Sequence, residues 1–313
     1  MTKVDLITGF LGSGKTTFIL NYVDFLKRMG QKVTIIENEF GGVSIDSMML
    51  KETEVDIAEV TGGCMCCTGK VAFQGQLVDA AKKGYDRIIV EPSGIYDVDE
   101  FFNTLLMPPV NEFCEIGSII TIADAHFEDS LTDEARYLMF SQLLSTGKLV
   151  LSKTQLYSSE TLDHTIAKIN QLMEEHHTDR RFGTDVCRKD WKDLTDEDYH
   201  SFLSAGYQLL EHERDFMQHG SVFTSRIVAG RCENAEDLKE RLDRLMTDPK
   251  IGKVYRCKGL IQDTSKNWYE FNRSLDGSYI KPAKVKRGIF LVIGQDIDDE
   301  ALDQVFISRK KNK

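Results

Sequence analysis

The feature that most constrains the fold is a glycine-rich segment, GFLGSGKT (residues 9–16), which fits the pattern G-x-x-x-x-G-K-[ST]. The apolar run VDLITGF (4–10) leads into it, and a helical pattern follows from Thr16 to Met29. A glycine-rich loop between a strand and the N-terminus of a helix can turn its backbone N–H groups toward phosphate oxygens. The segment therefore predicts a phosphate-binding loop, called the phosphate loop below, in a domain that begins with a strand and a helix.

Each residue type in the phosphate loop suits one contact with a nucleotide. We expect Lys15 to bridge the outer phosphates and the Thr16 hydroxyl to ligate Mg²⁺. The other candidate nucleotide-binding residues are small and lie in the loop or at the start of the helix; they are Gly9, Gly12, Ser13, Gly14 and Thr17. A glycine-rich turn with an exposed lysine is the alternative interpretation, and the strand–loop–helix context disfavours it.

Strand and helix patterns alternate through the first two-thirds of the chain. Further strand-like runs lie at 32–37, 55–60, 86–91, 117–124 and 148–153, with helical patterns near 70–83, 97–106, 131–146 and 158–176. Short apolar strands separated by helices predict an α/β fold, a P-loop NTPase domain with a mostly parallel sheet covered on both faces. One more strand within 184–191 and a helix near 196–217 would complete this domain at residues 1–218.

The pattern changes from Ser221 onward, where several strands occur for each helix. Predicted strands are SVFTSRIVAG, KVYRCKGLIQ, NWYEFNRSL and GIFLVIG, and predicted helices are NAEDLKERLDRLM and DDEALDQVF. This ratio predicts a small C-terminal α+β domain with an antiparallel sheet at residues 219–313.

Composition excludes some classes of partner. The chain has 39 Lys and Arg against 50 Asp and Glu, a net charge of -11, which argues against nucleic-acid binding and against attraction to an anionic membrane. Neither a leader-like N-terminus nor a run near 18 apolar residues occurs, so we expect a cytoplasmic protein. Thiols stay reduced in that compartment, and clustered cysteines there indicate metal or redox chemistry more often than disulfides.

A second phosphate-side element is predicted at RIIVEPSG (87–94). Glu91 closes an apolar run, where a carboxylate can hold a Mg²⁺-bound water, and Gly94 follows in a turn whose backbone can approach a γ-phosphate. An apolar run that ends in Glu is common by itself, so the hypothesis depends on the phosphate loop.

Two further segments are candidates for switching and for base recognition. ENEFGGVSID (37–46) has the composition of a mobile loop, in which Glu39 and Asp46 could reach the metal or the attacking water; a solvated acidic loop is the alternative. SKTQ follows the strand at 148–152, where P-loop GTPases carry their base-reading element. The candidate nucleotide-binding residues there are Ser152, Lys153 and Gln155, with Lys153 expected to pack over the purine.

The segment TGGCMCC (61–67) places Cys64, Cys66 and Cys67 within four positions. A disulfide between adjacent cysteines would be strained, and the spacing is too tight for a structural zinc finger. Thiolates are soft ligands that favour Zn²⁺, Cu(I) or Fe–S over Mg²⁺. Three thiolates can leave one position open for water or for a side chain such as Glu37, which suits metal transfer. A catalytic thiol is the weaker alternative, because no histidine is tied to the segment by sequence.

The motifs GFLGSGKTT, ENEFGGVSID, TGGCMCC, IVEPSG and SKTQ, with YRCKG and IFLVIGQDID, together resemble the CobW family of P-loop GTPases. The resemblance covers nearly the whole chain, and the family is related to the urease and hydrogenase nickel-insertion GTPases. It implies hydrolysis of GTP with Mg²⁺, coupled to delivery of a thiophilic metal such as zinc to a client metalloprotein. It also places Cys64, Cys66 and Cys67 on the family's metal-binding cysteines.

The chain departs from the family pattern at two places. Gln155 stands where the base-reading motif has Asp, so we expect GTP to be preferred over ATP by a smaller margin than in an Asp-bearing relative. The His-rich tract of many members is missing, since of seven histidines only His176 and His177 are adjacent. We expect this pair to be a solvated helix end.

Other functions remain open at the level of sequence. A P-loop small-molecule kinase would need an acceptor pocket and a general base that the sequence does not locate. A nucleotide-gated metal sensor would bind metal without transferring it. The C-terminal domain is expected to contact the client or a second protomer, which would make a nucleotide- or metal-dependent homodimer one expected assembly.

Overall fold

The computed structural model describes residues 1–37, 56–59, 70–96, 98–208, 223–228, 230–275, 277–283 and 289–306. The chain divides into two compact units, Met1–Phe216 and Met217–Lys313. None of the helices in the described ranges has the length and apolar character to cross a membrane.

Six strands of the first unit form a parallel sheet in the order β3-β2-β4-β1-β5-β6. Their bounds are β1 (Thr2–Thr8), β2 (Val33–Glu37), β3 (Asp56–Glu59), β4 (Arg87–Glu91), β5 (Cys114–Asp124) and β6 (Lys148–Ser152). All six carboxyl ends therefore lie at one edge of the sheet, where ligands of open α/β sheets bind. The predicted α/β fold with a mostly parallel sheet is confirmed.

In the described part of the first unit, six helices connect or follow these strands. They are α1 (Lys15–Arg28), α2 (Lys70–Lys82), α3 (Val98–Leu105), α4 (Asp133–Leu144), α5 (Ser159–Glu175) and α6 (Asp196–Leu203). Local caps fix several starts: the Ser158 hydroxyl accepts a hydrogen bond from Thr161 N, and Thr195 with Asp198 forms a capping box before α6.

The sheet is covered on both faces, because alternate strand residues belong to different core clusters. On β1, Leu6 packs in one cluster with Phe73 of α2 and Phe101 of α3. Its neighbour Ile7 packs in a second cluster with Phe18 of α1 and Phe202 of α6. Burial on both faces explains why these strands are continuous apolar runs.

Two sequence predictions were wrong in this unit. The segment 184–191 supplies only an isolated parallel bridge between Val150 and Cys187, not a strand. The helix predicted at 196–217 ends at Leu203, and Gly206 follows with φ of 62°. The Gly206 carbonyl accepts a 2.8 Å hydrogen bond from Ile119 N, so the chain here runs beside β5 instead of continuing the helix.

The second unit is a small α+β fold with an antiparallel sheet in the order β11-β10-β9-β12-β7, to which β8 adds a parallel pair with β9. Its elements are β7 (Phe223–Val228), β8 (Arg231–Cys232), α7 (Ala235–Thr247), β9 (Lys253–Asp263), β10 (Trp268–Ser274), β11 (Gly277–Pro282), β12 (Ile289–Gln295) and α8 (Asp299–Phe306). Leu238 and Leu242 of α7 pack with Phe271 and Phe290 in one core. The sequence had not predicted β11, which is largely exposed.

Candidate functional site

The phosphate loop follows a path that requires glycine at several positions. Gly9, Gly12 and Gly14 have φ of 143°, 80° and 96°. A Cβ atom on Gly9 would lie 2.1 Å from the carbonyl oxygen of Ile122 on β5. Gly14 occupies the N-cap position of α1 in the left-handed conformation. The close approach to β5 and the positive φ values therefore both require glycine, as expected of a loop that wraps around a phosphate.

Polar groups of the loop fit an anionic ligand. Lys15 is 6% exposed, and its Nζ donates hydrogen bonds to the carbonyl oxygens of Gly9 at 2.9 Å and Phe10 at 3.2 Å. The buried Ser13 hydroxyl finds no hydrogen-bond partner among the residues that the structure describes. A buried polar group needs a partner, and phosphate oxygens would accept from both side chains.

The end of β4 meets the start of α1. Thr16 Oγ1 donates a 2.8 Å hydrogen bond to Glu91 Oε1, and Glu91 is 4% exposed. A hydroxyl and a carboxylate are oxygen ligands of the kind that Mg²⁺ prefers. The donor set therefore fits a Mg²⁺ ion beside the phosphates.

The loop after β4 packs tightly against the phosphate loop. A Cβ atom on Gly94 would lie 2.7 Å from the backbone nitrogen of Leu11, so this position also requires glycine. Buried Gln142 of α4 donates through Nε2 to the carbonyl oxygens of Gly94 at 3.1 Å and Tyr96 at 3.3 Å. Sequence analysis missed Gln142, because a single polar residue in a helix carries no signal for a contact 48 residues away.

Glutamates end three adjacent strands in register. Glu37, the last residue of β2, pairs with Glu91 on β4 and with Glu59 on β3. Glu37 is 2% exposed. Adjacent strands are about 4.8 Å apart, so the backbone positions of Glu37 and Glu91 are neighbours at the edge that carries the phosphate loop.

The other candidate switch and metal residues fall outside the described residues. These are Glu39, Asp46, Cys64, Cys66 and Cys67. Within the described ranges, no group of three or more His, Cys, Asp or Glu side chains could hold a metal ion. The TGGCMCC segment comes soon after Glu59 in the chain, so its first attachment point is the end of β3.

The predicted base-reading residues border a pocket of about 650 Å³. Ser152 ends β6, and Lys153 follows with φ of 58° and forms an ion pair with Asp124 at the end of β5. Gln155 is exposed in the 3₁₀ turn Thr154–Leu156. The pocket also includes Thr17 at the start of α1, so it connects the phosphate loop with the predicted base-reading segment.

A third side of the pocket is the segment 190–194, which sequence analysis had not connected with the site. Trp191 Nε1 donates a 2.9 Å hydrogen bond to the Leu151 carbonyl on β6. The Trp191 ring would lie 3.1 Å from a Cβ atom on Gly14, and it makes an edge contact with Phe18 at a centroid distance of 5.7 Å. Asp190 and Lys192, on either side of this tryptophan, line the pocket as well.

Comparison with protein families assigns most of the first unit. The model of the family described as "CobW/HypB/UreG, nucleotide-binding domain" matches residues 3–178. This range contains the phosphate loop, the three strand-end glutamates and the SKTQ segment.

Three curated proteins illustrate the similarity. The zinc chaperone YeiR of Escherichia coli (strain K12) is 36% identical over 125 residues, covering 40% of this chain and 38% of YeiR. The zinc chaperone YjiA of the same strain is 30% identical over 177 residues, covering 53% and 54%. The zinc-regulated GTPase metalloprotein activator 1 of Schizosaccharomyces pombe is 29% identical over 181 residues, covering 54% and 44%. The matches thus span about half the length of these relatives, or less.

Proposed function

The chain belongs to the CobW/HypB/UreG family, and we propose that it is a GTP-hydrolysing metallochaperone that couples nucleotide state to zinc binding and transfer. The names of the matched relatives, zinc chaperone and zinc-regulated GTPase, support both activities. The observation that carries the proposal is the alignment of Glu37 with Glu91 on adjacent strands. Glu91 accepts a hydrogen bond from Thr16 of the phosphate loop, so a metal at Glu37 would be next to the triphosphate.

During hydrolysis, each polar residue of the phosphate loop region would have one role. Lys15 exchanges its two carbonyl partners for oxygens of the outer phosphates, and the N–H groups around Gly94 approach the γ-phosphate. Thr16 and Glu91 would hold Mg²⁺, which when bound neutralises charge on the β- and γ-phosphates. Glu39 and Asp46 remain proposed contacts of the metal or the attacking water.

For the cargo, we assign zinc to the thiolates of Cys64, Cys66 and Cys67 together with the carboxylate of Glu37. The position of Glu37 supports this role, because it ends β2 beside β3, the strand that precedes the TGGCMCC segment in the chain. Three thiolates and one carboxylate complete a four-coordinate zinc site. Loss of the carboxylate alone would open a position for a ligand from a client metalloprotein. We also propose that the chain delivers zinc to a client metalloprotein and that it forms a nucleotide- or metal-dependent homodimer. Its setting would be the cytoplasm, where thiols stay reduced.

Coupling follows from the shared strand ends. A γ-phosphate that attracts Lys15 and the loop at Gly94 alters the surroundings of Glu91, and Glu37 occupies the neighbouring register position. Zinc affinity and nucleotide affinity are then linked, and the linkage is reciprocal.

The test has two parts on the full-length chain. Phosphate release from GTP with Mg²⁺ measures hydrolysis, which we expect to be slow. Competition with a chromophoric chelator measures zinc affinity in the presence of GDP or a non-hydrolysable GTP analogue. We expect zinc affinity to differ between the two nucleotide states in the wild type.

Cys66→Ser and Cys67→Ser should each lower zinc affinity, whereas the matched control Cys114→Ala removes a buried thiol of the core and should not. Equal zinc affinity in both nucleotide states would contradict the coupling. If the chain instead forms a phosphorylated small molecule and releases no free phosphate, it is a small-molecule kinase.

A further inference from the structure

The pocket beside the phosphate loop raises the question of how guanine is recognised. Guanine presents two adjacent donors, N1–H and the 2-amino group, and one carboxylate can accept from both. Gln155 is exposed, and its neutral amide has one acceptor oxygen. A carboxylate from another segment could supply the two acceptor oxygens that Gln155 lacks.

Two acidic residues line this pocket, Asp24 and Asp190. Asp24 is ten residues beyond Gly14 on α1, a rise of about 15 Å. Its side chain is 74% exposed and pairs with Arg28 at 3.3 Å. Asp190, in contrast, directly precedes Trp191, whose ring packs near Gly14 of the phosphate loop. The Asp190 side chain is 18% exposed.

Asp190 is held in place but keeps acceptor capacity. Its Oδ1 accepts from Lys192 N at 3.2 Å, and its Oδ2 pairs with Lys192 Nζ at 2.8 Å. A carboxylate has about four lone-pair sites, so two remain for a ligand. Hydrogen bonding to Lys192 lowers the pKa of the Asp190 carboxyl, which keeps it ionised at neutral pH.

The surrounding segment is anchored at both ends. The Trp191 indole donates to the Leu151 carbonyl on β6, the strand that leads into Lys153 and Gln155. Lys189 donates to both carboxylate oxygens of Asp198 at 2.8 Å, and Asp198 belongs to the capping box of α6. Such preorganisation reduces the entropy lost when a base binds.

We propose that Asp190 is the specificity-determining residue for the base, and that its carboxylate accepts the N1–H and 2-amino hydrogen bonds of guanine in place of the missing aspartate at position 155. This inference rests on the proposed GTP-binding function. Trp191 would then position Asp190 relative to the phosphate loop. The aliphatic part of the Lys153 side chain would pack against the face of the purine.

Calorimetric binding of GTP, XTP and ATP tests the assignment with the full-length wild type, Asp190→Asn and Asp24→Asn. Xanthine carries a carbonyl where guanine has its 2-amino group, so an asparagine amide that accepts from N1–H can also donate to xanthine. Asn remains a good N-cap residue, so the turn Trp191–Asp193 is kept. In Asp190→Asn we expect GTP affinity to fall roughly tenfold to a hundredfold, XTP affinity to rise, and ATP affinity to stay near the wild-type value.

The outcomes separate this inference from the proposed function. Asp24→Asn should keep the wild-type order of affinities, and Gln155→Asp added to Asp190→Asn should restore GTP binding. A uniform loss for all three nucleotides in Asp190→Asn, or an exchange of preference in Asp24→Asn instead, would overturn the role of Asp190 while GTP binding by the wild type stands. If the wild type binds none of the three, the proposed function itself fails.

Discussion

Thr16 and Glu91 are 75 positions apart in the chain, yet their side chains share a 2.8 Å hydrogen bond at the carboxyl edge of the sheet. The contact exists because β1 and β4 are adjacent parallel strands, so the loop after one strand meets the last residue of the other. A substitution of Glu91 can therefore keep the hydrogen bond from Thr16 and remove the negative charge.

Glu91→Gln is that mutation. The Gln oxygen can still accept from Thr16, so we expect the free energy of unfolding to change by less than about 1 kcal/mol. The charge that would hold Mg²⁺ is lost, so hydrolysis should fall about a hundredfold or more, and Mg²⁺ should strengthen GTP binding less than in the wild type. Calorimetry with and without Mg²⁺ measures this. Glu100→Gln on α3 is the control, and an equal Mg²⁺ effect in both variants would remove the metal role of Glu91.

Lys15→Ala should abolish nucleotide hydrolysis and weaken triphosphate binding without unfolding the domain. The Lys15 ammonium donates hydrogen bonds to backbone carbonyl oxygens of its own loop, and a positive charge at this position would bind the outer phosphates. Phosphate release and GTP affinity are the measurements, with the exposed Lys27→Ala on the same helix as control. Hydrolysis at the wild-type rate in Lys15→Ala would sink the assignment of the phosphate loop.

The fold was largely predictable because its signals are local. Continuous apolar runs between helical patterns indicate parallel strands buried on both faces, and the structure confirms this arrangement. The phosphate loop was also predictable, since positive φ values and close packing require its glycines. The family match confirms the resemblance to CobW proteins on which the activity was inferred.

The side of the pocket formed by residues 190–194 was not predictable, because its contacts are distant in sequence. Trp191 reaches Gly14 across 177 positions, and no spacing rule connects the two. The same reason hid Gln142, which fixes the loop at Gly94 from another helix. Residues that hold a site together through single long-range hydrogen bonds leave no local pattern.

Asp5 and Arg87 form a buried ion pair between β1 and β4, and removal of one partner should destabilise the first unit. Asp5 also accepts from Tyr22 Oη at 2.9 Å and from Ser118 N at 2.8 Å. Asp5→Ala would leave the Arg87 guanidinium buried without its partner, which costs about 3–5 kcal/mol. Denaturant unfolding measures this loss.

The exposed pair between Lys3 of β1 and Glu115 of β5 is the control, since both side chains are 43% exposed at a separation of 3.2 Å. Glu115→Ala should cost about 0–1 kcal/mol. If the two substitutions cost the same, burial does not set the strength of the Asp5 contact.

The last prediction concerns the cysteines. Burial raises the pKa of Cys114 and Cys232 to about 11 each, and it also raises the pKa values of Cys187 and Cys257. A raised thiol pKa means less thiolate at pH 8, and all four side chains are buried, so they should react slowly with a thiol reagent.

The three cysteines of TGGCMCC should therefore account for the fast-reacting thiols of the native chain, and one equivalent of Zn²⁺ should protect them. Zn²⁺ replaces the protons of the thiols, so its binding should release protons. The protection that it gives should therefore weaken as pH falls. Reaction kinetics with a chromogenic disulfide at pH 8 and at pH 6, with and without Zn²⁺, measure both effects. Cys66→Ser with Cys67→Ser should leave a single fast thiol that Zn²⁺ no longer protects. Protection that persists in this double variant would place the zinc ligands elsewhere in the chain.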